Sequence, residues 1–165
     1  VIALTTDSQY PAPSAFHLAH ELGHICLGHL APGQSIVDMG GLGDPEDEAA
    51  DDEEQQADAF AMELLTGDPE LRLHIEGEGR AARRLAEQAL AVQQKHRIEA
   101  GVVALSYGFQ TENWPTAVAS LAHIYEQPFP VWQAVNRIAE RNIQWSELED
   151  ESESYLRAIM GGHNG

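Results

Sequence analysis

From residue 80 onward, apolar positions recur at three-and-four spacing, punctuated by Gly, Pro and Asn. This predicts a run of helices at 80–96, 99–109, 115–126, 130–142 and 147–160. Pro115 and Pro130 suit helix starts, and Ser146 and Gly161 bracket the last helix. Nearer the N-terminus, Phe16, Leu18, Ala19, Leu22, Ile25, Cys26 and Leu30 repeat with the helical period. They predict an amphipathic helix, buried by these residues, that Ser14 caps and that stops near Gly28. A further helix starts at Asp44-Pro45 and runs through "QQADAFAMELL" to Gly67. Residues 31–43 lie between the two and carry Pro32, Gly33, Gly40, Gly41 and Gly43, the composition of a loop.

Two short segments break the helical pattern. "VIALT", Val1 to Thr5, is β-branched and apolar and suits a strand, which "YPAPS" terminates. "ELRLHI", residues 70–75, fits either a short strand or a helical turn. The expected class is therefore α+β and mostly helical, with a short sheet and no internal repeat. Length agrees: 165 residues with 43% hydrophobic content are one domain's worth of chain with a proper core.

Charge narrows the function classes. A formal net charge of -18 with nine Lys and Arg excludes a general nucleic-acid surface, which needs clustered cations. Arg80, Arg83 and Arg84 make one helical turn of cations, read as a solvated face. Eight acidic residues crowd positions 44–54, where carboxylates favour the positive end of a helix dipole. No apolar run reaches bilayer length, no signal-peptide pattern is present, and Cys26 has no cysteine to pair with. A cytoplasmic protein is expected, without membrane or direct nucleic-acid partners. The chain begins at Val1 rather than Met, so upstream sequence is expected.

The candidate chemistry lies in "AFHLAHELGHICLGH", residues 15–29. His20, Glu21 and His24 form H-E-x-x-H, and on a helix positions i and i+4 share a face. Two imidazoles can then hold one ion while Glu21, one residue round, reaches a water activated by it. Two histidines and a glutamate on a buried helix are costly unless satisfied, which favours a metal site over core histidines.

A third protein ligand is required. His29 matches neither position of H-E-x-x-H-x-x-G-x-x-H, would point away from His24 on an unbroken helix, and reads as a polar residue at the helix end. Another source is a glutamate on the second helix with an Asp four residues later that can orient a ligand histidine. Among Glu46, Glu48, Glu53, Glu54 and Glu63 the candidate is Glu54, with Asp58 four residues on; Glu53, with Ala57 at that offset, is the reserve. Glu54, Asp58, Ala61 and Leu65 would share a face adjoined by Ala57 and Phe60.

With "FHLAHELGHICLGH" followed by "EQQADAFAMELL", the chain resembles the ImmA/IrrE family of bacterial and phage zinc metallopeptidases, whose pattern pairs A-H-E-[LI]-G-H with E-x-x-A-[ND]-x-F-A. The resemblance covers roughly residues 1–66. It implies a zincin-like core over 1–66, to which a helical extension over 67–165 is expected to pack. It also implies zinc held by His20, His24 and Glu54, Glu21 as general base and Asp58 as support. Members are associated with regulated cleavage of helix-turn-helix repressors, so the resemblance implies a protein substrate, a DNA-binding repressor. The competing class is a catalytically silent, metal-binding interaction protein that regulates a partner.

Other residues are read more plainly. His17 lies one turn before His20 and is expected to be partly buried, with the cleft as its alternative. Cys26 is expected as a small core residue. Trp114, Trp132 and Trp145 sit near helix starts as core or staple residues. His74, His96, Tyr107, His123 and Tyr125 are unranked candidates for stabilising an oxyanion.

Overall fold

The structure, a computed structural model, describes residues 8–30, 48–68, 71, 73 and 79–161. Among these residues the elements are all helical: α1 (Pro11–Leu27), α2 (Glu48–Thr66), α3 (Ala81–His96), α4 (Ala100–Thr111), α5 (Trp114–Ile124), α6 (Val131–Asn142) and α7 (Asp150–Gly161). A short 3-10 helix (Trp145–Glu147) precedes α7. The strand expected over residues 1–5, the loop over 31–43 and most of segment 70–75 lie outside the described residues.

α1 begins earlier than its expected cap. Tyr10 is the N-cap and Pro11 supplies the first helical residue with its φ already set, so Ser14 sits buried inside the helix instead of capping it. The turn ahead is organised by Ser8, whose hydroxyl donates to the Tyr10 carbonyl at 2.9 Å. α1 ends at Gly28, whose φ of 81° is left-handed and whose N–H reaches the Ile25 carbonyl at 3.3 Å. In α4 and α5 the caps are side chains: Glu99 accepts from the Val102 N–H at 2.9 Å, and Asn113 from the Thr116 N–H at 3.3 Å.

The chain divides into two compact units, residues 1–129 and 130–165. In the first, α4 is the central helix, with every residue from Ala100 to Ser106 buried. α1 and α2 pack against each other and against α4, and α3 and α5 complete the layer. Phe16 and Ala19 of α1, Ala61 and Met62 of α2, Leu85 of α3, Val103 and Leu105 of α4 and Leu121 of α5 form one apolar cluster. Truncating a fully buried member such as Leu85 or Leu121 to alanine removes about 2–5 kcal/mol. Gly101 lets α4 lie close to its neighbours, because a Cβ there would collide with the Tyr125 hydroxyl and sit 2.7 Å from the Ala12 Cβ.

The α1 surface differs from the expected apolar face. Leu18, Leu22, Ile25 and Cys26 are exposed, and the buried face is Ala12, Ser14, Phe16, Ala19, His20, Gly23 and His24. Small residues and histidines, not the large aliphatics, are what α1 turns toward α2 and α4.

The second unit is held by its own contacts. The Asn136 amide donates to the Met160 carbonyl at 3.0 Å, joining α6 to α7. The Trp145 indole donates to the Glu140 carbonyl at 3.1 Å and carries the Arg157 guanidinium 4.2 Å from its ring centre. Trp145 thus links α6 to α7. No helix among the described residues is long and apolar enough to cross a membrane.

Candidate metal centre

α1 and α2 can carry polar chemistry between them because they approach closely. Gly23 faces Ala57 and Phe60, and a Cβ on it would lie 3.2 Å from the Ala57 Cα and 3.2 Å from the Phe60 ring. Ala57 and Ala61 are fully buried on the α2 side. With small residues at the contact, the next polar residues along each helix meet: His20 and His24, one turn apart on α1, and Glu54 and Asp58, one turn apart on α2.

Both imidazoles present Nε2 to the same place, 3.1 Å apart. The Glu54 carboxylate closes the group, with Oε2 3.0 Å from His20 Nε2 and Oε1 3.3 Å from His24 Nε2. His24 is 2% exposed and the Glu54 side chain 49%, so the group is buried on its histidine side and open on its carboxylate side. Ligands about 2.0–2.1 Å from a tetrahedral zinc stand about 3.3 Å from one another, so the three separations suit that ion. Two neutral nitrogens and one carboxylate are also a donor set that zinc takes. His20, His24 and Glu54 are the one such group found among the described residues; Glu53 is not in it.

Each imidazole has a second partner. His20 Nδ1 is 2.8 Å from Asp58 Oδ1, which fixes the ring. That hydrogen bond raises the His20 pKa above its ordinary 6.5; burial opposes the rise, and the charges of Asp58, Glu54 and Glu21 add to it. His24 Nδ1 is 3.0 Å from His29 Nδ1. This overturns the expectation that His29 points away from His24: the left-handed turn at Gly28 reverses the chain, and His29 folds back with its N–H on the His24 carbonyl at 3.0 Å. The signal was Gly28 itself, since a helical wheel cannot be extended past the residue that ends the helix.

Glu21 is half-buried beside His20 and adds to the negative field on that ring. Phe16, one turn before His20, packs on Phe109 with ring centres 4.2 Å apart and planes tilted by 34°, and Phe109 meets Trp114 edge-on at 4.5 Å, so an aromatic row ties the site helix to α4 and α5. His17 is exposed, where a partly buried residue was expected. Of the oxyanion candidates, His74 lies outside the described residues, and His96 and His123 are exposed. Tyr125 donates to Glu99 at 2.8 Å and stacks on Tyr10, and burial, with the charge of Glu99, pushes its pKa up.

Two packed helices that converge a His-His-Glu donor set, with the histidines in H-E-x-x-H order, define a class of proteins with the makings of a metallopeptidase centre. The chain belongs to the Peptidase M78 family, described as the IrrE N-terminal-like domain, whose model matches residues 1–105. The match takes in α1, α2, α3 and the first half of α4, and therefore every residue of the candidate centre. No curated protein and no solved structure gives a significant match.

Proposed function

We propose that the protein is a zinc-dependent metallopeptidase that cuts peptide bonds in a protein substrate, a helix-turn-helix transcriptional repressor, in the cytoplasm. The observation that carries this reading is the convergence of His20, His24 and Glu54 in a chain of a peptidase family. His20 and His24 would hold the ion through Nε2 and Glu54 through its carboxylate. A zinc ion held there supplies Lewis acidity, which makes water more acidic and a scissile carbonyl more electrophilic.

The residues do the rest. Asp58 accepts from His20 Nδ1–H and so keeps the lone pair of Nε2 aimed at the group. Glu21, beside His20 and half-exposed, takes a proton from the attacking water and delivers it to the leaving amine. The open carboxylate side of the group is where a peptide can approach, while the buried histidine side keeps the ligands dry. Residues 1–66 carry the chemistry in this reading, and α3, α4 and α5 support them.

The net charge of -18 fits a basic partner such as a DNA-binding protein, drawn in by long-range attraction. Docking of a folded partner, more than a deep side-chain pocket, would then set selectivity. The test is incubation of zinc-loaded protein with the helix-turn-helix protein encoded beside it, read by intact mass, with Glu21→Gln as control. Cleavage at one or a few sites by wild type alone is expected. A partner left whole while casein is digested readily would replace the repressor reading with a general peptidase. A Glu21→Gln variant that cuts at the wild-type rate would remove the mechanism.

A further inference from the structure

We infer that His29 is a positioning residue for the metal centre: it accepts a hydrogen bond from His24 Nδ1–H and so fixes the tautomer and ring angle that offer His24 Nε2 to the ion. The inference rests on the metal-centre reading above.

Three observations carry it. The two Nδ1 atoms are 3.0 Å apart, a distance at which one must donate and the other accept. His24 Nε2 faces His20 Nε2 and Glu54 on the opposite edge of its ring, so its lone pair is free for a metal only when the proton sits on Nδ1. His29 is then the acceptor, with its own proton on Nε2. The rings meet at 71° with centres 5.1 Å apart, so the contact is edge-on and not a stack.

The backbone makes this placement a built feature. Gly28 adopts a φ of 81°, which a side chain would strain, and this turn carries the His29 N–H to the His24 carbonyl at 3.0 Å. His29 is thereby anchored by its main chain to the residue it orients. The same geometry excludes it as a ligand, since it touches the nitrogen of His24 that points away from Glu54 and lies outside the His20, His24 and Glu54 group. The two ligand histidines are thus supported differently, His20 by the carboxylate of Asp58 and His24 by a neutral imidazole.

The test is zinc affinity by competition with a chromogenic chelator for wild type, His29→Ala and His29→Asn, with thermal melts of the metal-free proteins alongside. Loss of such an orienting partner weakens metal binding by about 10–100-fold, and His29→Ala should show this. His29→Asn, whose Oδ1 can stand where Nδ1 stood, should recover most of the affinity. The metal-free melts report the loss of the hydrogen bond to the buried His24 ring on its own, and the zinc-induced rise in Tm, measured from each protein's own metal-free value, should be smaller for His29→Ala alone. Wild-type affinity in His29→Ala, or an asparagine variant as weak as the alanine one, would overturn the inference. So would a cobalt-loaded His29→Ala whose absorption spectrum shows one nitrogen donor fewer, because His29 would then be a ligand. Failure of the metal-centre reading looks different: the wild type itself takes up no zinc, or His20→Ala binds it as tightly as wild type.

Discussion

Gly23→Ala probes the contact that brings α1 and α2 close enough to share a site. The new methyl would stand 3.2 Å from the Ala57 Cα, 3.2 Å from the Phe60 ring and 3.3 Å from the Ala57 carbonyl oxygen, so its neighbours must retreat by a few tenths of an ångström. Two terms oppose each other. Replacing a glycine inside a helix by alanine gains about 0.8–1.0 kcal/mol of helix propensity. Overpacking a tight contact costs about 1–3 kcal/mol, and here two of the three atoms are backbone and yield little. The net is a loss of about 1 kcal/mol, or a fall in Tm of about 2–4 °C at this chain size. Glu54 lies one turn before Ala57 on α2, so any retreat of α2 also lengthens its 3.0 and 3.3 Å separations from the histidines. Zinc affinity should therefore fall by about tenfold, the loss expected when a ligand is held out of place. Thermal unfolding of the metal-free protein and a chelator competition read the two effects separately. A variant that melts higher than wild type and binds zinc equally well would refute the claim that close helix contact positions the donors.

Further outcomes follow from other contacts. Gly101→Ala should lower stability by about 3 kcal/mol or more, because the methyl meets the Tyr125 hydroxyl and the Ala12 Cβ at once; a melt superimposable on wild type would contradict the packing around α4. His20 has a raised pKa in the metal-free protein, so its pairing with Asp58 contributes fully below about pH 6.5 and is lost as pH rises through the higher folded value. The stability penalty of Asp58→Asn in chelator-treated protein should thus shrink with rising pH, and a penalty that grows would reverse the assignment. With a net charge of -18, stability should rise from low to moderate ionic strength as self-repulsion is screened; a flat or falling Tm would count against it.

Much of the site was legible because its spacing is a property of one helix at a time. His20 and His24, and Glu54 and Asp58, are each pairs at i and i+4, and the helices that carry them start and stop near Pro and Gly that the chain displays. The starts expected at 99 and, from Pro115, at 115 likewise lie within a residue of the observed first residues, Ala100 of α4 and Trp114 of α5. What the sequence hid depends on tertiary context. Ser14 looked like a cap, yet Pro11 begins the helix three residues sooner and Ser14 is buried in its first turns. The aliphatics of α1 looked like its core face, but close packing with α2 selects small residues, so Gly23 and Ala19 face inward while Leu18, Leu22, Ile25 and Cys26 face out. The place of His29 depends on the left-handed turn at Gly28, which changes the direction of the chain, so helical spacing does not reach it.

The central claim is that His20, His24 and Glu54 together hold one zinc. Elemental analysis of purified protein, extended to His20→Ala and Glu54→Ala after loading with zinc and desalting, tests it most directly. About one zinc per wild-type chain and little in either variant is the predicted result. A wild type that emerges metal-free from zinc loading, or a Glu54→Ala variant that retains a full equivalent, would contradict it.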